Sequence, residues 1–284
     1  MNLRTVRKKT KSVKNVRKIT KAMQLISAVK MKKVVQSEVE GRLYRDSLTN
    51  LIQSLSGRLD TSLSPLLAKQ QSKEGKDLII FISANKGLCG AFHVNLLKYI
   101  VKNIDLKKTE FITVGSKGAQ ALSRFDRDIV ADYSTGTPET KVSAIFTYAI
   151  EAFLSGKYES VKLLYTQYFS ALRSEVKLVT LLPLTPEENK STLQVSKQEY
   201  IVEPSPQVLV NALLRSAVEE QIRGAVISSE AVEQSMRMMA MKNATDNAGD
   251  VIYSLTLIGN KIRQTKITSE LLDMVTAKES VESS

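Results

Sequence analysis

Apolar residues near the C-terminus of the chain recur at alternating steps of three and four. Met241, Ala244, Ala248, Val251, Leu255, Ile258 and Ile262 follow that rule without exception, the seam pattern of a helix packed on another helix. No proline follows Pro206, so nothing in the covalent chain forces a break beyond it. A helix from about residue 206 to residue 275 would span roughly 100 Å. A helix of that length needs a partner along its side.

The same steps appear at the other end of the chain. Val16, Ile19, Met23 and Ile26 repeat them before the pattern drifts through Val29, Val35, Val39 and Leu43, and Leu48, Leu51, Ile52, Leu55 and Leu59 continue an apolar stripe. All six prolines lie from Pro65 to Pro206, which marks two helical arms around a compact middle. The arms are predicted to pair antiparallel, with Ala244 and Ala248 in the seam allowing close approach. Gly249 and Gly259 each cost a helix about 1 kcal/mol relative to alanine. They read either as tolerated strain or as points of tight packing or flexing.

The middle alternates differently. After a polar linker ending near Lys76, Asp77 to Ser83 is a near-continuous apolar run, the signature of a strand covered on both faces. Phe92, Leu96, Leu97, Ile100, Val101 and Ile104 then mark a helix, Phe111 to Val114 a strand, and Ala119 to Phe125 a short helix. Strand, helix, strand, helix implies parallel pairing through right-handed crossovers. A third strand is expected over Ile129 to Tyr133 and a third helix over Ala144 to Leu154. Val161 to Tyr168 and Val176 to Leu182 read as an antiparallel hairpin, and Tyr200 to Val202 as an edge strand. The expected organisation is a coiled-coil helix over 1–62, a linker over 63–76, a Rossmann-like α/β domain over 77–203 and a second coiled-coil helix over 204–284. The fold class is thus α/β, with a long antiparallel coiled coil of the terminal helices.

Charge changes the picture at one end. Of the net +12, residues 1–33 supply twelve Lys or Arg with no Asp or Glu. Such a helix favours an acidic surface, and a protein collar, nucleic acid and anionic lipid all qualify. Against nucleic acid, the cations are not interleaved with aromatics and no reading motif accompanies them. No apolar run reaches the ~18 residues of a membrane span, and the basic N-terminus lacks the apolar core of a secretory signal. The lone Cys89 precludes an internal disulfide.

Candidate chemistry is scarce. His93 is the only histidine and Cys89 the only cysteine, so His/Cys metal sites and multi-histidine relays have no raw material, and no catalytic, metal or cofactor-binding residue is assigned. The pair sits four residues apart where a helix begins, and reads as a packed thiol and a surface imidazole. Asn85-Lys-Gly-Leu-Cys-Gly90 follows a strand where phosphates are often bound, but matches neither the Walker pattern nor GxGxxG. Gly115-Ser-Lys-Gly118 is likewise read as a tight turn. Lys242, Asn243, Thr245, Asp246, Asn247, Arg263, Gln264, Lys266 and Thr268 interrupt the apolar C-terminal helix. They read as a wet face opposite the seam or, in a rod clasped by other subunits, as interfacial donors.

Several of these stretches together resemble the gamma-subunit family of the F-type ATP synthase. They are Lys18-Ile-Thr-Lys-Ala-Met23, Lys86-Gly-Leu-Cys-Gly90, and Arg237-Met-Met-Ala-Met-Lys-Asn-Ala-Thr-Asp-Asn-Ala248. Asn260-Lys-Ile-Arg-Gln264, Ile267-Thr-Ser-Glu-Leu271, Leu181-Leu-Pro-Leu184 and Glu203-Pro-Ser-Pro206 extend the match over essentially the whole chain. Departures are local: Val232 and Ser269 replace a serine and a glutamine, Ala84-Asn85 a serine-aspartate, and Gly259 a tyrosine. The resemblance implies a non-catalytic central-stalk rotor, coupling proton-driven rotation of a membrane ring to ATP chemistry on beta subunits. It implies as partners the alpha and beta subunits, the epsilon subunit and the membrane c-ring, with no cofactor and no nucleic acid. The implied location is the cytoplasmic face of a bacterial plasma membrane. Arg263, Gln264 and Thr268 are then expected to contact the catalytic hexamer as a catch, and Met23 and Lys86 to lie near the acidic lever of beta. Two other classes stay open from the residues alone: a basic coiled-coil nucleic-acid-binding protein and a small-molecule enzyme built on the central sheet.

Overall fold

The computed structural model describes residues 2–55, 64–68, 75–184 and 205–282. In order they form α1 (Leu3–Leu55), β1 (Lys76–Ile82), α2 (Phe92–Asn103), β2 (Thr109–Val114), α3 (Ser116–Arg124), β3 (Ile129–Asp132), α4 (Val142–Leu154), β4 (Tyr158–Tyr168), β5 (Ser174–Leu182) and α5 (Pro206–Glu282). Contacts divide the chain into two compact units, Ala28–Met236, and Met1–Ser27 with Arg237–Ser284. The two long helices each contribute to both.

In the first unit one five-stranded sheet runs in the order β3-β2-β1-β4-β5. β1 pairs parallel with β2 and β4, and β2 with β3; β5 returns antiparallel on β4 as the predicted hairpin. Strand β1 is apolar and buried from Leu78 to Ile82 because both its faces are covered there. Leu78, Ile80 and Ile82 point to one layer, where they meet Ile145, Ala149 and Phe153 of α4 and Val210, Leu214, Val218, Ile222 and Val226 of α5. Ile79 and Phe81 point to the other layer, with Phe92, Leu96 and Ile100 of α2, Leu122 of α3 and Val232 of α5. Each such side chain contributes about 1.5–3 kcal/mol by leaving water. Within the expected linker, Leu66 is buried in this core and its carbonyl accepts the Leu184 N–H at 2.9 Å. The expected edge strand at 200–202 lies outside the described residues.

A buried carboxylate ties the beginnings of three strands together. Glu110, on β2, accepts bonds from Lys76 (3.0 Å), Lys157 (2.9 Å) and the Tyr158 hydroxyl (2.6 Å). Burial opposes its ionisation, but these three donors outweigh burial and hold the carboxyl at about 2.

Candidate functional site

In the second unit the first turns of α1 lie antiparallel to α5, with Val6 opposite Gly259, Arg17 opposite Gly249 and Thr20 opposite Thr245. On α5 the least exposed positions are Met241, Thr245, Ala248, Ile252, Leu255, Gly259 and Ile262. Their steps of four and three are the mirror phase of the expected seam. Met241, Ala248, Leu255 and Ile262 belong to both phases. Val251 and Ile258, expected inside, are 45% and 43% exposed, whereas Thr245 is 6% exposed. The reading of Thr245 as part of a wet face is therefore corrected.

Helix α1 inverts the expectation more completely. Val16, Ile19 and Ile26, the expected seam, are 49%, 59% and 58% exposed, and Met23 is half-buried. The inward positions are Leu3, Val6, Thr10, Val13, Thr20, Gln24 and Ser27, at steps of three and four with one step of seven across the exposed Arg17. Small polar side chains work there because their hydroxyls find partners. Thr245 donates to the Met241 carbonyl at 2.7 Å, and the Thr20 and Thr245 hydroxyls meet at 2.8 Å. Thr10 donates to the Val6 carbonyl at 2.9 Å. Satisfied hydroxyls carry little penalty when buried, and their small size lets the helices approach. A Cβ added at Gly259 would stand 3.4 Å from Val6, an ordinary van der Waals contact.

The outer surface of this unit is basic and apolar together. Arg4, Arg7, Lys8, Lys9, Lys11, Lys14, Lys18 and Lys21 are exposed, interspersed with Val16, Ile19, Leu25 and Ile26. Toward the end of α5, Ile267, Leu271, Leu272, Met274 and Val275 are exposed as well. Arg263, Gln264 and Thr268 sit on adjacent turns of this stretch, all exposed, with the Thr268 hydroxyl donating to the Gln264 carbonyl at 3.0 Å. Arg263 lines a groove beside Gly259 together with Arg7 and Lys14. The structure therefore groups Arg263, Gln264 and Thr268, places Met23 on the other helix of the same unit, and places Lys86 in the sheet-bearing unit.

Lys86 is exposed in the loop between β1 and α2. That loop reverses sharply, with Leu88 at φ 61° and Gly90 at φ 59°. Cys89 is buried, 3.9 Å from the Lys86 carbonyl, and His93 Nε2 lies 3.4 Å from the same oxygen, so the two side chains share a structural anchor. The adjoining turn after β2 is filled by the chain itself. The Ser116 N–H donates to Asn85 Oδ1 at 2.9 Å and the Gly118 N–H to Ser83 Oγ at 2.9 Å. These are the donors a phosphate would need at the start of α3. A Cβ at Gly115 or Gly118 would stand 2.4 Å from Ser83 atoms, so both glycines serve close packing.

Comparison with known proteins gives one answer from sequence and from fold. The family described as ATP synthase matches residues 2–281. The ATP synthase gamma chain of Trichlorobacter lovleyi is 35% identical over 288 residues, covering 99% of each chain. That of Akkermansia muciniphila is 32% identical over 292 residues, again with 99% of each covered. Among solved structures, a chain of the Euglena gracilis mitochondrial ATP synthase has the same fold at 18% identity, with TM-score 0.64 over 98% of this chain and 94% of that one. A chain of the Tetrahymena thermophila mitochondrial ATP synthase central stalk and c-ring is 26% identical, with TM-score 0.57 over 80% of this chain and 99% of that one. With a match along nearly its whole length, this chain belongs to the ATP synthase gamma-chain family.

Proposed function

We propose that the chain is the central-stalk rotor of an F-type ATP synthase, non-catalytic in itself, which couples rotation of a membrane ring to ATP synthesis on the subunits around it. The observation that carries this reading is the surface of the two-helix unit: a threonine pair takes places in the seam beside Val6, Met241 and Ala248, while Val16, Ile19, Leu25, Ile26 and Leu257 lie outside. Apolar side chains so placed have a favourable environment only when another protein covers them. The lysines and arginines between them favour an acidic collar.

As a rotor, the unit presents a different face to each surrounding site. A beta subunit's conformational equilibrium shifts only as far as the differential contact at that angle allows, so turning the shaft changes the affinities in sequence. We place the alpha and beta subunits around the two-helix unit, with Arg263, Gln264 and Thr268 as the catch and Met23 and Lys86 toward beta's acidic lever. The epsilon subunit and the c-ring are placed at the sheet-bearing unit. The division of the chain into terminal coiled-coil helices and a middle Rossmann-like domain serves these two roles. Among the described residues no helix is long and apolar enough to cross a membrane, and we place the chain peripherally, as part of the complex, at the cytoplasmic face of a bacterial plasma membrane.

Replacing Arg263 and Gln264 with alanine together is expected to reduce ATP synthesis in reconstituted vesicles while the isolated chain melts as before. Unchanged synthesis would remove the catch. Co-purification of the unsubstituted chain with alpha and beta subunits tests the rotor reading as a whole.

A further inference from the structure

Within the sheet-bearing unit, α1 and α5 meet at an arginine laid across two glycines. The Arg45 guanidinium lies so that a Cβ added at Gly224 would stand 3.0 Å from its Nε and Cζ, and one added at Gly41 would stand 3.0 Å from its Nη1. One glycine is on α5 and the other on α1, both in helix interiors where glycine is disfavoured. Arg45 Nη2 donates to Glu38 Oε1 at 2.7 Å, about two turns back on the same face of α1. Glu38 Oε2 and Arg45 Nη1 are buried with no hydrogen-bond partner, and burial pushes the Glu38 carboxyl up against the pull of Arg45. Two glycines in long helices and a partly buried, half-satisfied ion pair are each unfavourable alone. Their coincidence at one point fits a device that fixes geometry at the expense of stability.

We propose that Arg45 is a positioning residue, a key whose planar guanidinium occupies a slot made by Gly41 and Gly224, locking α1 to α5 so that both helices carry torque. The keying is a property of the chain alone; its use in carrying torque rests on the rotor reading. The geometry requires the fork of arginine more than its charge, since a lysine ammonium is a point donor on a flexible stem and cannot fill a flat slot.

The test replaces Gly41 and Gly224 with alanine together. Helix propensity alone would then raise the melting temperature, whereas an occupied slot predicts no rise or a fall, because the two methyls converge on one guanidinium. Spin labels on cysteines at Leu43 and Gln221, both exposed, in a chain with Cys89 replaced by alanine, report the spacing of the helices. The full chain is expected to give one narrow distance distribution, the double-alanine chain a broad or displaced one, Arg45→Lys a broad one, and Glu38→Gln a narrow one. If the double-alanine chain does not fold, Arg45→Lys carries the same comparison. In the assembled complex, the double-alanine rotor is expected to hydrolyse ATP with a loss of protons moved per ATP. A higher melting temperature with an unchanged distribution would overturn the key. Broadened distances with unchanged proton coupling would overturn its role in torque, as would failure of the unsubstituted chain to assemble with alpha and beta subunits, which would remove the rotor reading itself while the distances still judged the key.

Discussion

The sheet-bearing unit covers most of its large apolar residues, whereas the two-helix unit leaves many of its own uncovered. In the first, Ile79, Ile80, Phe81, Phe111 and Phe153 are buried under helices of the same chain, and the carboxylate of Glu110 goes inside with three donors around it. In the second, the interior holds Thr20 and Thr245 while Ile19, Leu25, Ile26 and Leu257 face outward. The first unit completes its own core. The second is finished by whatever surrounds it, which is why its exposed surface is the part to read for function.

Breaking the self-sufficient unit should have the largest effect. Phe81→Ala removes a fully buried ring between β1 and the α2 layer and is expected to cost about 3–5 kcal/mol, read as a lowered urea midpoint. Next comes Glu110. Its carboxyl is held at about 2 against the usual 4.5, so the ionised group stabilises the fold fully above pH 4.5. That contribution, on the order of 3 kcal/mol, is lost as pH falls from 4.5 toward 2. In Glu110→Gln this component of the pH slope is expected to vanish in acid unfolding titrations, with lower stability at neutral pH.

The two-helix unit should respond more gently and in a different assay. Thr245→Ala leaves the Thr20 hydroxyl without its cross-helix partner and is expected to cost about 1 kcal/mol, measured by denaturant unfolding. Ile19→Ser, on a side chain 59% exposed, should change the isolated chain by less than about 0.5 kcal/mol. The same variant should be retained less well by alpha and beta subunits in a pull-down. Equal retention would break the comparison, because the outward apolar residues would then have no use.

Much of the fold was legible from residue pattern. The apolar run at β1, the four-residue steps of Phe92, Leu96 and Ile100, and the hairpin of β4 and β5 emerged within a few residues of their bounds, since a surface covered on both faces leaves no room for polar residues. The phosphate-like turns were legible as poor motifs, but that Ser83 and Asn85 occupy their N–H groups depends on strands β1 and β2 ending side by side. The Arg45 slot was not visible, because Gly41 and Gly224 are distant in sequence and neither carries a signature of what lies over it.

The sequence by itself determined that two long helices flank a mostly parallel sheet closed by an antiparallel hairpin, because apolar periodicity and the confinement of proline to the middle permit little else. It also named the family through motifs spread over the chain. Only the tertiary structure decided which face of each helix turns inward. Steps of three and four can be drawn in two phases on α5 and along two stripes on α1, and hydrophobicity favoured the wrong one at Val251, Ile258, Val16, Ile19 and Ile26. The rule that apolar residues go inside applies to the finished assembly. In a chain built to be enclosed, a threonine pair with satisfied hydroxyls can occupy the seam while the isoleucines face what encloses it.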